Sequence, residues 1–214
     1  TAMWNYERIS APFTRGKNTF YYKNDGLQNQ SVLYKKTKKG DEIFLDPNTF
    51  SKDGTTSLAG IDFSKSGKYC AYQISVAGSD WRKIIVINTK TKAIIGDTLV
   101  DVKFSGISWY KDEGFYYSSY DRPKGSELSE KTDQHKLYYH KLGTKQKDDV
   151  IIFGAKEKRR YVSASVSRDM NYLFISAANS TSGNELYFKN LKKKNSPIVP
   201  IVSNFDNDHY VLDT

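Results

Sequence analysis

The chain has 214 residues, of which 38% are hydrophobic and 14% aromatic, and it carries a formal net charge of +9. That length can bury a sizeable core as one all-β domain, and the single Cys70 excludes an intramolecular disulfide while leaning toward a reducing compartment. No apolar run reaches the roughly 18 residues of a membrane-crossing helix, and no signal-peptide core stands at the N-terminus, so no membrane association is expected.

With 16 Tyr, 11 Phe and only 5 Pro, the aromatics fall in short runs bounded by Gly, Asn, Asp and Ser, the pattern of strands and turns. Residues 18–22 and 31–34 read as strands around the turn Asn24-Asp25-Gly26, with 42–45 as a third. Residues 61–63, 69–75, 83–88 and 97–100 supply four more strands, with Thr89-Lys90-Thr91-Lys92 as a hairpin turn. A third set reads as 102–109, 114–118, 136–140 and 149–153, interrupted by a polar insertion from Tyr120 to His135. Loops of that length in a compact domain usually serve a function. The last set comprises 161–166, 172–177, 185–190 and 198–202.

One block recurs three times, an apolar residue followed by a polar turn and an aromatic strand: Phe63-Ser64-Lys65-Ser66-Gly67-Lys68-Tyr69, Trp109-Tyr110-Lys111-Asp112-Glu113-Gly114-Phe115 and Val166-Ser167-Arg168-Asp169-Met170-Asn171-Tyr172. Positions 63, 109 and 166 are 46 and 57 residues apart, near the roughly 40 to 50 residues of a four-stranded propeller blade. The expected fold is therefore all-β, a partial β-propeller of three to four antiparallel blades at about 1–50, 58–100, 102–153 and 160–203.

Residue types that carry chemistry are sparse. Cys70 lies inside the strand Tyr69-Cys70-Ala71-Tyr72 and is expected to be a small core residue rather than a reactive thiol. No serine stands in a G-x-S-x-G elbow. His135, His140 and His209 are expected at strand ends or in loops, without an activated nucleophile and without the spacing of a zinc site, so neither metal nor cofactor is expected. The lysines cluster where turns belong: Lys35, Lys36, Lys38 and Lys39; Lys90 and Lys92; Lys145 and Lys147; Lys156, Lys158, Arg159 and Arg160; Lys192, Lys193 and Lys194. Distributed turn charge points to a solvated surface and away from nucleic acid, because a polyanion-binding surface would need these charges to converge on one face.

The segments 26–34, Phe44-Leu45-Asp46-Pro47-Asn48, Gly78-Ser79-Asp80-Trp81, Val102-Lys103-Phe104-Ser105 and 135–140 resemble, in order and spacing, the N-terminal part of the propeller of the prolyl oligopeptidase family. These serine peptidases cleave short peptides after proline. The resemblance covers essentially the whole chain. It implies a seven-bladed propeller that covers an α/β-hydrolase domain bearing a Ser-Asp-His triad, a domain this chain does not include. It further implies that Asp80 looks across to an arginine of the hydrolase domain, that Phe104 lines a nonpolar subsite, and that the loop from Tyr120 to His135 gates substrate entry. From the residues alone, Asp80 could equally be a turn aspartate capping its own backbone, and Phe104 a core residue. The chain by itself is expected to be catalytically inactive, to self-associate through its open blade faces, and to come from a cytoplasmic parent, with a periplasmic one as the alternative. A free-standing propeller serving as a protein-interaction module is the competing reading.

Overall fold

The structure, a computed structural model, describes residues 5–121 and 132–212. Its described residues form four antiparallel sheets in chain order, with only two single-turn 3-10 segments, Pro47–Thr49 and Gln146–Asp148, between strands. The first sheet holds β1 (Arg8–Ile9), β2 (Phe13–Arg15), β3 (Asn18–Asn24), β4 (Val32–Lys35) and β5 (Glu42–Leu45). Both β1 and β2 pair with β3, so the sequence expectation of three strands lacked a fourth row interrupted at Ala11 and Pro12. Proline lacks the N–H that would continue the ladder, which breaks this row into two short pieces that periodicity does not reveal.

The second blade is β6 (Thr56–Phe63), β7 (Tyr69–Val76), β8 (Trp81–Asn88) and β9 (Leu99–Lys103). The third is β10 (Ser108–Tyr110), β11 (Gly114–Ser119), β12 (Lys136–Lys141) and β13 (Val150–Phe153), and the fourth is β14 (Tyr161–Val166), β15 (Tyr172–Ala178), β16 (Glu185–Asn190) and β17 (Ile198–Val202). Two boundaries of the second blade differ most from the sequence reading: β6 begins at Thr56 rather than at residue 61, and the blade closes later than residue 100. Val102 and Lys103 pair with Arg82 and Trp81 and close the second blade instead of opening the third, whose inner strand begins only at Ser108. A bulge between Arg82 and Ile84 shifts the register and lets β9 run on to Lys103.

Side chains alternate across each sheet, so every blade packs one face on each neighbour. On β7, Cys70 and Tyr72 join Phe20, Leu33, Phe44, Phe63 and Ile87 between the first two blades. Ala71, the residue between them, joins Ile84, Val86, Leu99 and Val102 against Trp109, Phe115 and Tyr117. Tyr116 faces the other way, into a third core with Leu137, Phe153, Val162, Leu173, Ile175 and Ala177. Phe20 is fully buried with ring centroids 4.7 Å from Phe63 and 5.0 Å from Phe44. Each such aromatic contributes roughly 1.5–3 kcal/mol through burial.

The recurring block forms the inner hairpin of a blade. Ser64 Oγ accepts the Tyr69 N–H at 3.1 Å, and Ser167 Oγ accepts the Tyr172 N–H at 2.9 Å. Gly67 and Met170 occupy the same left-handed corner. The hairpins touch across blades, with Lys65 N–H on Lys111 O at 3.1 Å and Lys65 Nζ on Arg168 O at 2.6 Å. In an antiparallel four-stranded blade, the turn between strands three and four lies at the same end as the turn between strands one and two. The lysine clusters at 35–39, 90–92, 145–147 and 192–194 all sit on third-to-fourth-strand turns. They therefore share one face of the propeller, contrary to the dispersion expected from sequence, where the common direction of consecutive blades is not visible.

Candidate functional site

The opposite face carries the second-to-third-strand hairpins and the crossovers between blades. The crossover out of β9 turns sharply: Asp101 has φ 55° and Phe104 φ 52°, left-handed backbone at two residues other than glycine. A bulky residue held there costs on the order of 1–3 kcal/mol and persists only where its surroundings impose it. Here they do. Ser119 Oγ donates to Asp101 O, Gln73 Nε2 donates to Ser105 O at 2.9 Å, and Ser105 Oγ accepts the Ser118 N–H at 2.7 Å. The consequence is that Phe104 leaves the core and stays 41% exposed, unlike the core placement that its strand-like sequence also allowed.

Phe104 lies at the centre of an aromatic cluster drawn from three blades. Its ring centroid is 6.3 Å from Tyr120, at the end of β11, and 6.1 Å from Tyr161, at the start of β14. The Lys103 ammonium is 5.1 Å from the Phe104 ring and 5.1 Å from the Trp81 ring, and the Arg160 guanidinium stands 5.6 Å over Tyr161. The result is an aromatic patch, exposed at Phe104 and partly so at Trp81 and Tyr161, rimmed by cations and suited to an apolar side chain whose neighbouring carbonyls or carboxylates meet the rim. Asp80 precedes Trp81 in the β7–β8 turn, exposed and without a hydrogen-bond or ion-pair partner among the described residues. Its turn is closed by others, Ser75 Oγ on Ser79 O at 2.7 Å and Trp81 N–H on Ser79 Oγ at 3.1 Å, so Asp80 does not cap its own backbone.

Tyr120 and His135 stand at the two ends of the polar insertion, whose residues 122–131 lie outside the described ones. Both end residues are buried, at 5% and 0% exposure, and their rings stack at 4.3 Å. Tyr120 Oη donates to Arg160 O, and burial pushes its phenol up to about 12. His135 joins three blades: its Nδ1 accepts the Val162 N–H at 2.8 Å, which leaves Nε2 to donate to Lys103 O at 2.9 Å. Burial lowers this imidazole to about 4, so the ring is neutral and structural. Lys136 closes the same end through Asp121 at 2.5 Å.

The other histidines also have structural partners. His140 Nδ1 meets Asp149 Oδ1 at 2.8 Å, and Tyr117 Oη donates to Asp149 Oδ2 at 2.9 Å, with no serine in this buried network among the described residues. His209 lies in the C-terminal segment, where its N–H donates to Asn184 Oδ1 at 2.6 Å. Among the described residues no group of three or more His, Cys, Asp or Glu side chains could hold a metal ion. Sequence reasoning had singled out Phe104, Tyr120 and His135, which the structure brings together, and Asp80 beside them. It had not assigned Trp81, Lys103, Arg160 or Tyr161. The first two stood inside the motifs already quoted, whereas nothing local marks Tyr161.

Residues 1–214 match the family described as prolyl oligopeptidase, N-terminal beta-propeller domain. Prolyl endopeptidase of Elizabethkingia miricola is 59% identical over 215 residues, spanning 99% of this chain and 30% of the relative, so the chain is less than a third of that protein's length. The structure of prolyl oligopeptidase B from Galerina marginata bound to a 35mer hydrolysis and macrocyclization substrate superposes with a TM-score of 0.88 at 28% identity, covering 99% of this chain and 33% of that one. Oligopeptidase B from Leishmania major shares the fold, with a TM-score of 0.77 at 16% identity over 98% of this chain and 30% of its own. Four consecutive blades, the recurring inner hairpin and these likenesses lead to one conclusion: the chain belongs to the prolyl oligopeptidase family, as part of its N-terminal β-propeller domain.

Proposed function

We propose that this chain is the substrate-filtering part of a peptidase that hydrolyses short peptides after proline, and that the Phe104 face lies toward the catalytic domain. The observation that carries this reading is the strained, exposed Phe104, held outward by the hydrogen bonds around residues 101–105 at a cost that packing alone would not require. Phe104, Trp81 and Tyr161 would contact an apolar residue upstream of the cleaved bond. Asp80, exposed and unpaired among the described residues, would meet a cation on the catalytic domain. The loop between Tyr120 and His135 would control entry. Its two ends, Tyr120 and His135, are buried and would serve this role as fixed anchors.

The nucleophile and its acid–base partners would belong to the rest of the parent, leaving the isolated chain inactive. Hydrolysis of a chromogenic peptide with proline before the leaving group tests the assignment, comparing the chain with the full-length parent. Activity confined to the parent is expected; activity in neither would turn the reading toward an interaction module. Within the parent, Phe104→Ala should raise KM roughly tenfold or more for peptides that extend upstream of proline, while sparing the shortest substrates.

A further inference from the structure

We propose that the lysine-bearing hairpin face docks the protein onto an anionic phospholipid surface. Each of the four blades places a lysine cluster on its third-to-fourth-strand turn, and strand alternation sends all four turns to one face. Neighbouring turns are tied together there, Lys92 Nζ donating to Ile43 O at 2.5 Å and Val100 N–H to Gln146 Oε1 at 2.9 Å. Two cations on this face have acidic partners, Lys35 with Glu42 at 3.7 Å and Lys111 with Glu113 at 3.4 Å. Among the described residues Lys38, Lys90, Lys145 and Lys193 are exposed and form no ion pair. In the fifth basic cluster, on the opposite face, two of the four cations are paired, Lys158 with Asp133 at 2.6 Å and Arg159 with Glu185 at 2.7 Å, while Arg160 stands over Tyr161.

Topology thus gathers four lysine-bearing turns into one arc of ammonium groups on a single side, whereas the cations of the other face border the Phe104 cluster. The chemistry selects the partner. The turns present lysines rather than arginine forks, which favours diffuse attraction over bidentate recognition of a single phosphate. Their lysine clusters are not interleaved with exposed aromatic rings on which nucleic-acid bases would stack. A broad array of point charges at the tips of parallel turns matches a plane of anionic headgroups, where many lysines act at once and each adds modestly. Asp41, Asp97 and Asp148 in three of the turns, and Asp112, Glu113 and Asp169 in the first-to-second-strand turns at the same end, reduce the excess of positive charge without cancelling it.

The test uses the full-length protein that contains this chain, sedimented with vesicles of phosphatidylcholine alone or mixed with phosphatidylglycerol. Binding to the mixed vesicles only, lost at high salt, is expected. The pair Lys90→Glu and Lys193→Glu should lower the bound-to-free ratio at least about tenfold, while Lys52→Glu with Lys156→Glu, equal in charge and on the opposite face, should leave it nearly unchanged. Unchanged urea midpoints of both variants exclude unfolding as the cause. The proposal is overturned if neither vesicle type sediments the protein at low salt, if both variants lose binding equally, or if duplex DNA is retained while vesicles are not.

Discussion

Lowering the pH should loosen the junction of the second, third and fourth blades through one side chain. His135 is fully buried, accepts the Val162 N–H on Nδ1 and donates from Nε2 to Lys103 O. A proton on Nδ1 would remove that acceptor and place a charge where water does not reach, which is why burial lowers the group from 6.5 to about 4. The unfolded chain takes up this proton near the ordinary histidine value while the folded chain refuses it until about 4, so stability rises with pH across that window. The contribution is fully present above about 6.5 and is lost progressively as pH falls toward 4, amounting to about 2 kcal/mol by pH 5 and about 3 kcal/mol by pH 4. Urea unfolding followed by tryptophan fluorescence at pH 7 and pH 5 measures it, with His135→Gln as the reference that cannot titrate. The native chain should lose about 2 kcal/mol more than the variant between these conditions. Equal losses, or an imidazole resonance of His135 that titrates near its ordinary value in the folded protein, would refute the reasoning.

Arg159 and Glu185 form a two-point pair, Nε to Oε2 at 2.7 Å and Nη2 to Oε1 at 2.9 Å, with the carboxylate side chain only 6% exposed. Arg159→Met should cost about 3–5 kcal/mol because it strands a buried charge, and adding Glu185→Leu should recover most of the loss in the same unfolding assay. Cys70 is buried and its thiol is pushed well above its ordinary value by that burial, so it should resist thiol-specific reagents in the folded chain and label rapidly in denaturant. Labelling at the same rate in both states would show an open core. The outward faces of the first and fourth blades leave Ile43 and Val199 exposed, and the isolated chain should self-associate with rising concentration in sedimentation velocity. A monomer at every concentration would show that these faces tolerate water.

The sequence by itself determined the kind of fold. Alternation along Tyr69 to Tyr72 needs only neighbouring residues to decide which side chain faces which way, and the polar block after Phe63, Trp109 and Val166 marks each inner hairpin. The fourth blade was legible almost to the residue for this reason, and the motifs around Asp80 and Phe104 were enough to suggest the family. What tertiary structure decided were the features that depend on pairing with distant residues. Val102 and Lys103 joined the second blade because their partners are Arg82 and Trp81, which no local pattern could choose over the strand that follows. Phe104 left the core because hydrogen bonds from Gln73, Ser118 and Ser119 hold its crossover in a left-handed turn. His135, polar and at the end of a hydrophilic insertion, is among the most buried side chains because two backbone groups from other blades satisfy both its nitrogens. The lysine clusters, dispersed along 214 residues, meet on one face because antiparallel strands return every second turn to the same end, a consequence of topology rather than of composition.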